Sequence, residues 1–300
     1  MLGKYNIYMT GSSGFLGSVI KDVLENNSEV RLLNTNLNDG RRDLTKSISN
    51  ISTIYDIVIH CAGKAHFKPK SNKDKEIFNE VNVNGTKNLL KSFELYPPKM
   101  FVFISSVSVY GLNIGVDIVE TSPLLAKDSY GLSKINAEKS IIEWCKERKI
   151  KYSILRLPLV VAKNPPGNLG AMISAIKNGY YFNIGGGKAN KSMVLAEDVA
   201  KYIILIAEKG GIYNLTDRQH TSFYLLSNYL AGQLGKKKIF NIPLFIANFL
   251  SVVGDFFGPD CIITSEKVSK ITNSLTFNDD LAVKEFGWEP RPVLTSKIFD

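Results

Sequence analysis

The chain has 300 residues, 44% hydrophobic and 22% charged, which supplies a substantial core and excludes a largely disordered protein. Its formal charge of +9 attracts anions in general, but the basic residues are scattered; the densest group, "GKKKIF" at 235–240, reads as a solvated loop, so a nucleic-acid partner is not expected. Cys61, Cys145 and Cys261 stand far apart and outside metal-ligand spacing, and no basic leader with an apolar run opens the chain, so a reduced, cytoplasmic, metal-free protein is expected.

In chain order, "KYNIYMT" at 4–10 predicts a strand, and "GSSGFLGSVIKDVLENN" passes from glycines into a helical pattern. "EVRLLN" at 29–34 and "YDIVIHCAG" at 55–63 predict the next strands, the second so continuously apolar that burial on both faces is implied. A helix over about 76–94, the strand "KMFVFISS" at 99–106, a helix from Tyr130 to about Lys149 and the strand "KYSILRLPLVV" from Lys151 continue the alternation. Strand and helix in turn are the signature of a parallel, doubly wound α/β sheet.

After Pro165 the rhythm loosens into Pro/Gly-rich loops. "MVLAEDVAKYIILIAEK" returns to the main domain, "GIYNLT" resembles a further strand, and the remainder holds helices without a regular strand partner. The apolar stretch 239–257, interrupted by Pro243, Asn248, Gly254 and Asp255, is too short to span a bilayer and is expected as a buried helix rather than a membrane-surface one. The organisation expected is a main domain over 1–162 with a returning segment at about 190–216, and a smaller, discontinuous lobe drawn mainly from 163–300.

Gly11-Ser12-Ser13-Gly14-Phe15-Leu16-Gly17 lies between the first strand and first helix. Glycines there permit a tight turn and close approach of a pyrophosphate to the N–H groups of the helix start, so Gly11, Ser13, Gly14, Phe15, Leu16 and Gly17 are assigned to a dinucleotide. About twenty residues on, an acid would hold the ribose hydroxyl of NAD; Asn34 or Thr35 stands there instead, with Arg41 and Arg42 following, so NADP is slightly favoured over NAD.

"FVFISSVSVYG" puts Ser106 at the carboxyl end of a predicted buried strand, and "DSYGLSK" puts Tyr130 and Lys134 one helical turn apart. Together with the glycine loop, these motifs resemble the extended short-chain dehydrogenase/reductase family in its nucleotide-sugar epimerase/dehydratase branch, over nearly the whole chain. The resemblance implies a Rossmann fold with a substrate-binding lobe, Tyr130 as general acid/base, Lys134 holding the nicotinamide ribose and lowering the phenol's pKa, and Ser106 on the reacting sugar oxygen. It further implies cofactor contacts from Asp43 and Leu44 in "RDLT", Ala62, Gly63 and Lys64 in "HCAGKAH", Asn82 in "VNVNGT", and Pro158 and Leu159 in "LRLPLVV". Substrate contacts are expected from Ser106, Ser108, Tyr130, His66, Asn168 and Lys191; Lys191 stands where relatives often carry Arg, whose fork grips a diphosphate more tightly.

The branch's dehydratases carry Asp-Glu after the Ser/Thr position, where this chain has Val107 and Ser108, so dehydration is disfavoured. Reduction of a UDP-4-keto sugar derived from N-acetylhexosamine, in surface polysaccharide synthesis, is placed slightly ahead of UDP-sugar 4-epimerisation, and a non-catalytic nucleotide-binding protein comes third. The resemblance also implies a homodimer through the Tyr130 helix, with Ile135, Ile141, Ile142 and Trp144 as apolar surface; the same residues would serve equally well packed on the sheet.

Overall fold

The computed structural model describes residues 4–33, 43–46, 50–65, 67, 69, 71–258, 261 and 263–296. Its first half runs β1 (Tyr5–Thr10), α1 (Phe15–Glu25), β2 (Val30–Leu33), β3 (Ile57–His60), α2 (Asn72–Phe78), α3 (Gly85–Ser92), β4 (Met100–Ser106), β5 (Gly115–Ile118), α4 (Ser129–Glu147), β6 (Lys151–Leu157) and β7 (Leu159–Val161). The second half comprises α5 (Gly167–Lys177), β8 (Phe182–Ile184), β9 (Met193–Leu195), α6 (Ala196–Lys209), β10 (Gly211–Asn214), α7 (Phe223–Gln233), β11 (Phe240–Ile242), α8 (Leu244–Phe256), α9 (Ser265–Thr272), β12 (Leu275–Phe277) and α10 (Asp280–Phe286).

Six strands form one parallel sheet in the order β10-β6-β4-β3-β1-β2. Side chains alternate between its faces. Ile7, Met9, Ile57, Ile59, Val102 and Leu155 meet α1 and α6 on one side, while Tyr8, Val58, Phe101, Phe103 and Ile154 meet α3 and α4 on the other. Both faces being covered explains the unbroken apolar runs, and the expected α/β class stands. The chain passes from β1 to one neighbour, β2, and then crosses to the other, β3. That reversal opens a crevice at the strands' carboxyl ends, where ligands of such sheets bind.

Several details depart from the sequence-based picture. "LRLPLVV" is two strands: Pro158, lacking an N–H, ends β6, and β7 leaves the main sheet to pair with β9. The C-terminal part also carries strands, β11 beside β8 and β12 beside β5, each three residues long and too short to register as an alternating pattern. Ala282, Phe286 and Trp288, in and just after α10, join the core on the α1 and α6 side of the sheet, with Phe286 edge-on to Tyr213 of β10 and Trp288 edge-on to Tyr202 of α6. Ile135, Ile141 and Trp144 are buried within the chain, the last two against the sheet, so they are not free dimer surface.

The expectation of a buried helix over 239–257 is corrected. Only Ala247, Ser251 and Gly254 of α8 are buried; a Cβ on Gly254 would stand 1.8 Å from the Ile263 carbonyl oxygen, so close packing admits only the small face and turns the large side chains outward. Among the described residues no helix is long and apolar enough to cross a membrane.

Candidate active site

The glycine loop closes the carboxyl end of β1. Gly11 has φ +72°, and a Cβ on it would stand 2.5 Å from the Ala62 backbone nitrogen; a Cβ on Gly17 would stand 1.9 Å from the Gly11 carbonyl oxygen. Glycine at both positions lets the loop lie flat against β3 and α1. Gly14 caps α1 without a side-chain acceptor, and the first turn holds no acid, which leaves α1's leading N–H groups and positive dipole end for an external anion. Ser13 is exposed, while Phe15 and Leu16 are half-buried, Leu16 against the core.

Next along the edge, Asn82 lies in a π-helical turn, Asn79–Asn84, between α2 and α3. Its Oδ1 accepts from Lys64 N–H at 2.6 Å, and its Nδ2 donates to the Lys64 carbonyl at 3.0 Å and to Ser133 Oγ at 2.9 Å. One buried amide thus fixes the β3 loop to the helix that carries Tyr130. A Cβ on Gly63 would reach 3.1 Å from Asn82 Oδ1 and 3.5 Å from Lys134 Nζ, so glycine keeps the approach to the lysine open.

Ser106 ends β4, and Tyr130 and Lys134 occupy the first turns of α4, where Asp128 caps by accepting from Gly131 N–H at 2.9 Å. A Cβ on Gly131 would stand 2.8 Å from the Ser108 carbonyl, so glycine there lets the turn after β4 pack on α4 and brings Ser106 to Tyr130. Burial raises the Tyr130 pKa, a hydrogen bond from Ser106 opposes it, and Asp128 adds to it. Lys134 is buried, donates to the Ile104 carbonyl at 2.8 Å and sits 4.6 Å from the centre of the Phe103 ring. Burial lowers its pKa to about 8, against opposing pulls from Cys61 and Glu138. The Ser108 hydroxyl is buried with no hydrogen-bond partner among the described residues, an acceptor and donor left for a ligand.

Other expected residues are placed as follows. Asp43 is exposed and accepts from Thr45 N–H and Oγ1, and Leu44 docks on Gly85 while its carbonyl accepts from Asn88. Pro158 and Leu159 lie at the β6/β7 junction. Asn168 is exposed on α5, and Lys191 is half-buried with its ammonium 6.0 Å from the Phe223 ring centre; no described contact joins either to Ser106 or Tyr130. Asn34 and His66 lie outside the described residues, as do Arg41 and Arg42.

Two supporting networks escaped the sequence reading. Thr10 and His60 are register partners in β1 and β3, and a buried chain runs from Ala62 N–H to Thr10 Oγ1, to His60 Nδ1, from His60 Nε2 to Thr86 Oγ1, and on to the Asn82 carbonyl. Because Thr86 spends its proton on that carbonyl, His60 donates from Nε2 and accepts at Nδ1. Burial holds its pKa down at about 3, so it is neutral. The second network is the buried pair of Glu138 Oε2 and Arg156 Nη2 at 2.8 Å, joined by Ser105 and by Tyr110, whose hydroxyl donates to Asn214 at 2.8 Å. The signals were a histidine inside an apolar strand and Glu138 four residues beyond Lys134, on the same helix face.

These features fit a nicotinamide dinucleotide: a glycine cradle that any Cβ would fill, a helix start without an internal cap, and a gap at Gly63 beside Lys134. Comparison with known proteins agrees. The model of the NAD dependent epimerase/dehydratase family matches residues 7–216. The chain is similar to UDP-glucose 4-epimerase of Vibrio cholerae, 26% identical over 96% of this chain and 92% of that one. It is 25% identical, over 77% of its own length and 73% of the relative's, to the N-acetyl-alpha-D-glucosaminyl-diphospho-ditrans,octacis-undecaprenol 4-epimerase of Escherichia coli O157:H7. Among solved structures, RMD from Pseudomonas aeruginosa complexed with NADPH matches with TM-score 0.75 at 20% identity, covering 98% of this chain and 96% of that one. UDP-glucose 4-epimerase from Thermotoga maritima, solved with UDP-glucose, gives 0.70 at 21% identity with the same coverage.

Proposed function

The chain belongs to the NAD dependent epimerase/dehydratase family, enzymes of the extended short-chain dehydrogenase/reductase type, and from that premise we propose that it inverts C4 of a UDP-sugar through a 4-keto intermediate. The observation that carries this reading is that Ser106, at the carboxyl end of β4, hydrogen-bonds Tyr130, while Lys134, one turn further along α4, donates to Ile104 of the same strand, with the Ser108 hydroxyl unpartnered among the described residues. The UDP-glucose 4-epimerase that aligns over nearly the whole chain supports the substrate class.

A bound nicotinamide supplies exchange of hydride with the sugar carbon. The chain's own residues handle the proton and the position. Tyr130 takes the proton of the C4 hydroxyl and returns it, with Ser106 hydrogen-bonded to the same oxygen. Lys134, protonated at neutral pH, is assigned to the nicotinamide ribose, while the hydrogen bond from Ser106 opposes the burial that raises the phenol's pKa. Ser108 orients the sugar, and Gly11, Gly14 and Gly17 admit the pyrophosphate to α1. Asn168 and Lys191, on the smaller lobe, are assigned to the nucleotide diphosphate.

A second reading, reduction of a UDP-4-keto sugar with NADPH, is favoured by Asn34, Arg41 and Arg42, where a carboxylate would otherwise repel a 2′-phosphate. Denaturing freshly purified protein and identifying released nucleotide by mass tests the choice. Retained NAD supports the epimerase, which restores its own cofactor each turn. Empty protein that prefers NADPH over NADH in titration supports the reductase and sinks the epimerase.

A further inference from the structure

Helix α8 is inverted for a helix in water. Its small residues Ala247, Ser251 and Gly254 are buried, while Phe245, Phe249 and Phe256 are 74%, 71% and 87% exposed. At 3.6 residues per turn these three phenylalanines fall within about 40° of one another, with Val252 beside them. The chain enters α8 through Phe240, also exposed and paired in register with exposed Phe182 on β8. Lys236, Lys237 and Lys238, immediately before, are exposed and form no ion pair among the described residues. The one charged residue on α8, Asp255, is exposed and accepts from the Ser265 N–H at 3.0 Å.

We propose that α8, with Phe240 and the three lysines, docks this protein on the surface of an anionic bilayer. An aromatic stripe beside a lysine cluster is the composition that seats a helix at the headgroup boundary, aromatic side chains in the acyl layer and ammonium groups against lipid phosphates. Thirteen residues rise only about 20 Å, short of a hydrocarbon core of about 30 Å, so the helix lies flat. Charge selects lipid over a second copy of the chain. Packing α8 on its own twin sets three ammonium groups against the single carboxylate of Asp255, whereas an anionic membrane surrounds all three with counter-charge. The inference does not depend on the sugar reading, because lipid binding is measured without substrate.

The test is sedimentation of the full chain with vesicles of phosphatidylglycerol and phosphatidylethanolamine, and separately of phosphatidylcholine alone. The protein is expected in the anionic pellet, less so as salt rises. Phe249→Ser or Phe245→Ser should weaken partitioning about tenfold, and Lys237→Ala about fivefold, with thermal melting unchanged in all three. Failure to bind anionic vesicles, or equal binding to neutral ones, overturns the proposal. So does a lipid-free dimer in ultracentrifugation that Phe249→Ser dissociates, since it would assign the stripe to a second copy.

Discussion

Glu138→Gln should separate what the buried network does for stability from what it does for chemistry. The carboxylate is 2% exposed, bonds Arg156 at 2.8 Å and accepts from Ser105. Glutamine keeps the volume but leaves the Arg156 guanidinium, itself 3% exposed, without its counter-charge. Breaking one side of a buried pair costs about 3–5 kcal/mol. With an unfolding entropy of about 2.1 cal/mol/K per residue, that lowers the Tm of a chain this size by roughly 5–8 °C, readable by calorimetry. The chemical effect has a separate signature. Glu138 is one of two groups that oppose the fall of the Lys134 pKa, which burial sets at about 8. Removing that charge lets the lysine lose its proton at lower pH, so the basic limb of the kcat profile should move to lower pH. A variant with wild-type Tm and an unshifted basic limb would refute the account of this network.

Three further outcomes are expected. Tyr130→Phe should abolish turnover while leaving nucleotide affinity, measured by calorimetric titration, within about threefold of wild type, because the role proposed for the hydroxyl is on the reacting sugar rather than the cofactor. Gly17→Ala should lose nucleotide binding in the same titration and melt earlier, since its methyl group meets the Gly11 carbonyl at 1.9 Å and the loop must lift off α1. His60→Leu should flatten the acid side of the stability curve: a histidine held neutral down to about 3 binds a proton only on unfolding, so wild-type stability is intact above about pH 6.5 and falls by up to about 1.4 kcal/mol per pH unit towards pH 3. The variant should lose that slope, measured by urea unfolding across the range, and be less stable at pH 7 because Thr10 and Thr86 lose their partner.

The central sheet was legible because each parallel strand buries both faces and so writes a continuous apolar run, as in "IVIH" and "MFVFISS". The glycine loop was legible for a related reason, since positive φ and backbone contact leave only glycine at Gly11 and Gly17. Residues defined by long-range partners were not. Arg156 in a strand reads as an interruption until Glu138, eighteen residues earlier, is placed beside it, and His60 reads as a lone polar residue until register brings Thr10 alongside. Helix α8 misled because apolar residues all round a helix ordinarily mean burial, and nothing local told that Gly254 and Ala247 would take the inner face.

The central claim is proton and hydride exchange at a sugar C4 governed by Ser106, Tyr130 and Lys134. It is tested most directly by incubating the protein and NAD with UDP-glucose and with UDP-N-acetylglucosamine and following the C4 configuration by proton NMR. The account predicts that one of the two acquires its C4 epimer with wild-type protein and neither does with Tyr130→Phe. Epimer formed at the wild-type rate by Tyr130→Phe, or no C4 change by a wild-type protein that retains NAD, would contradict it.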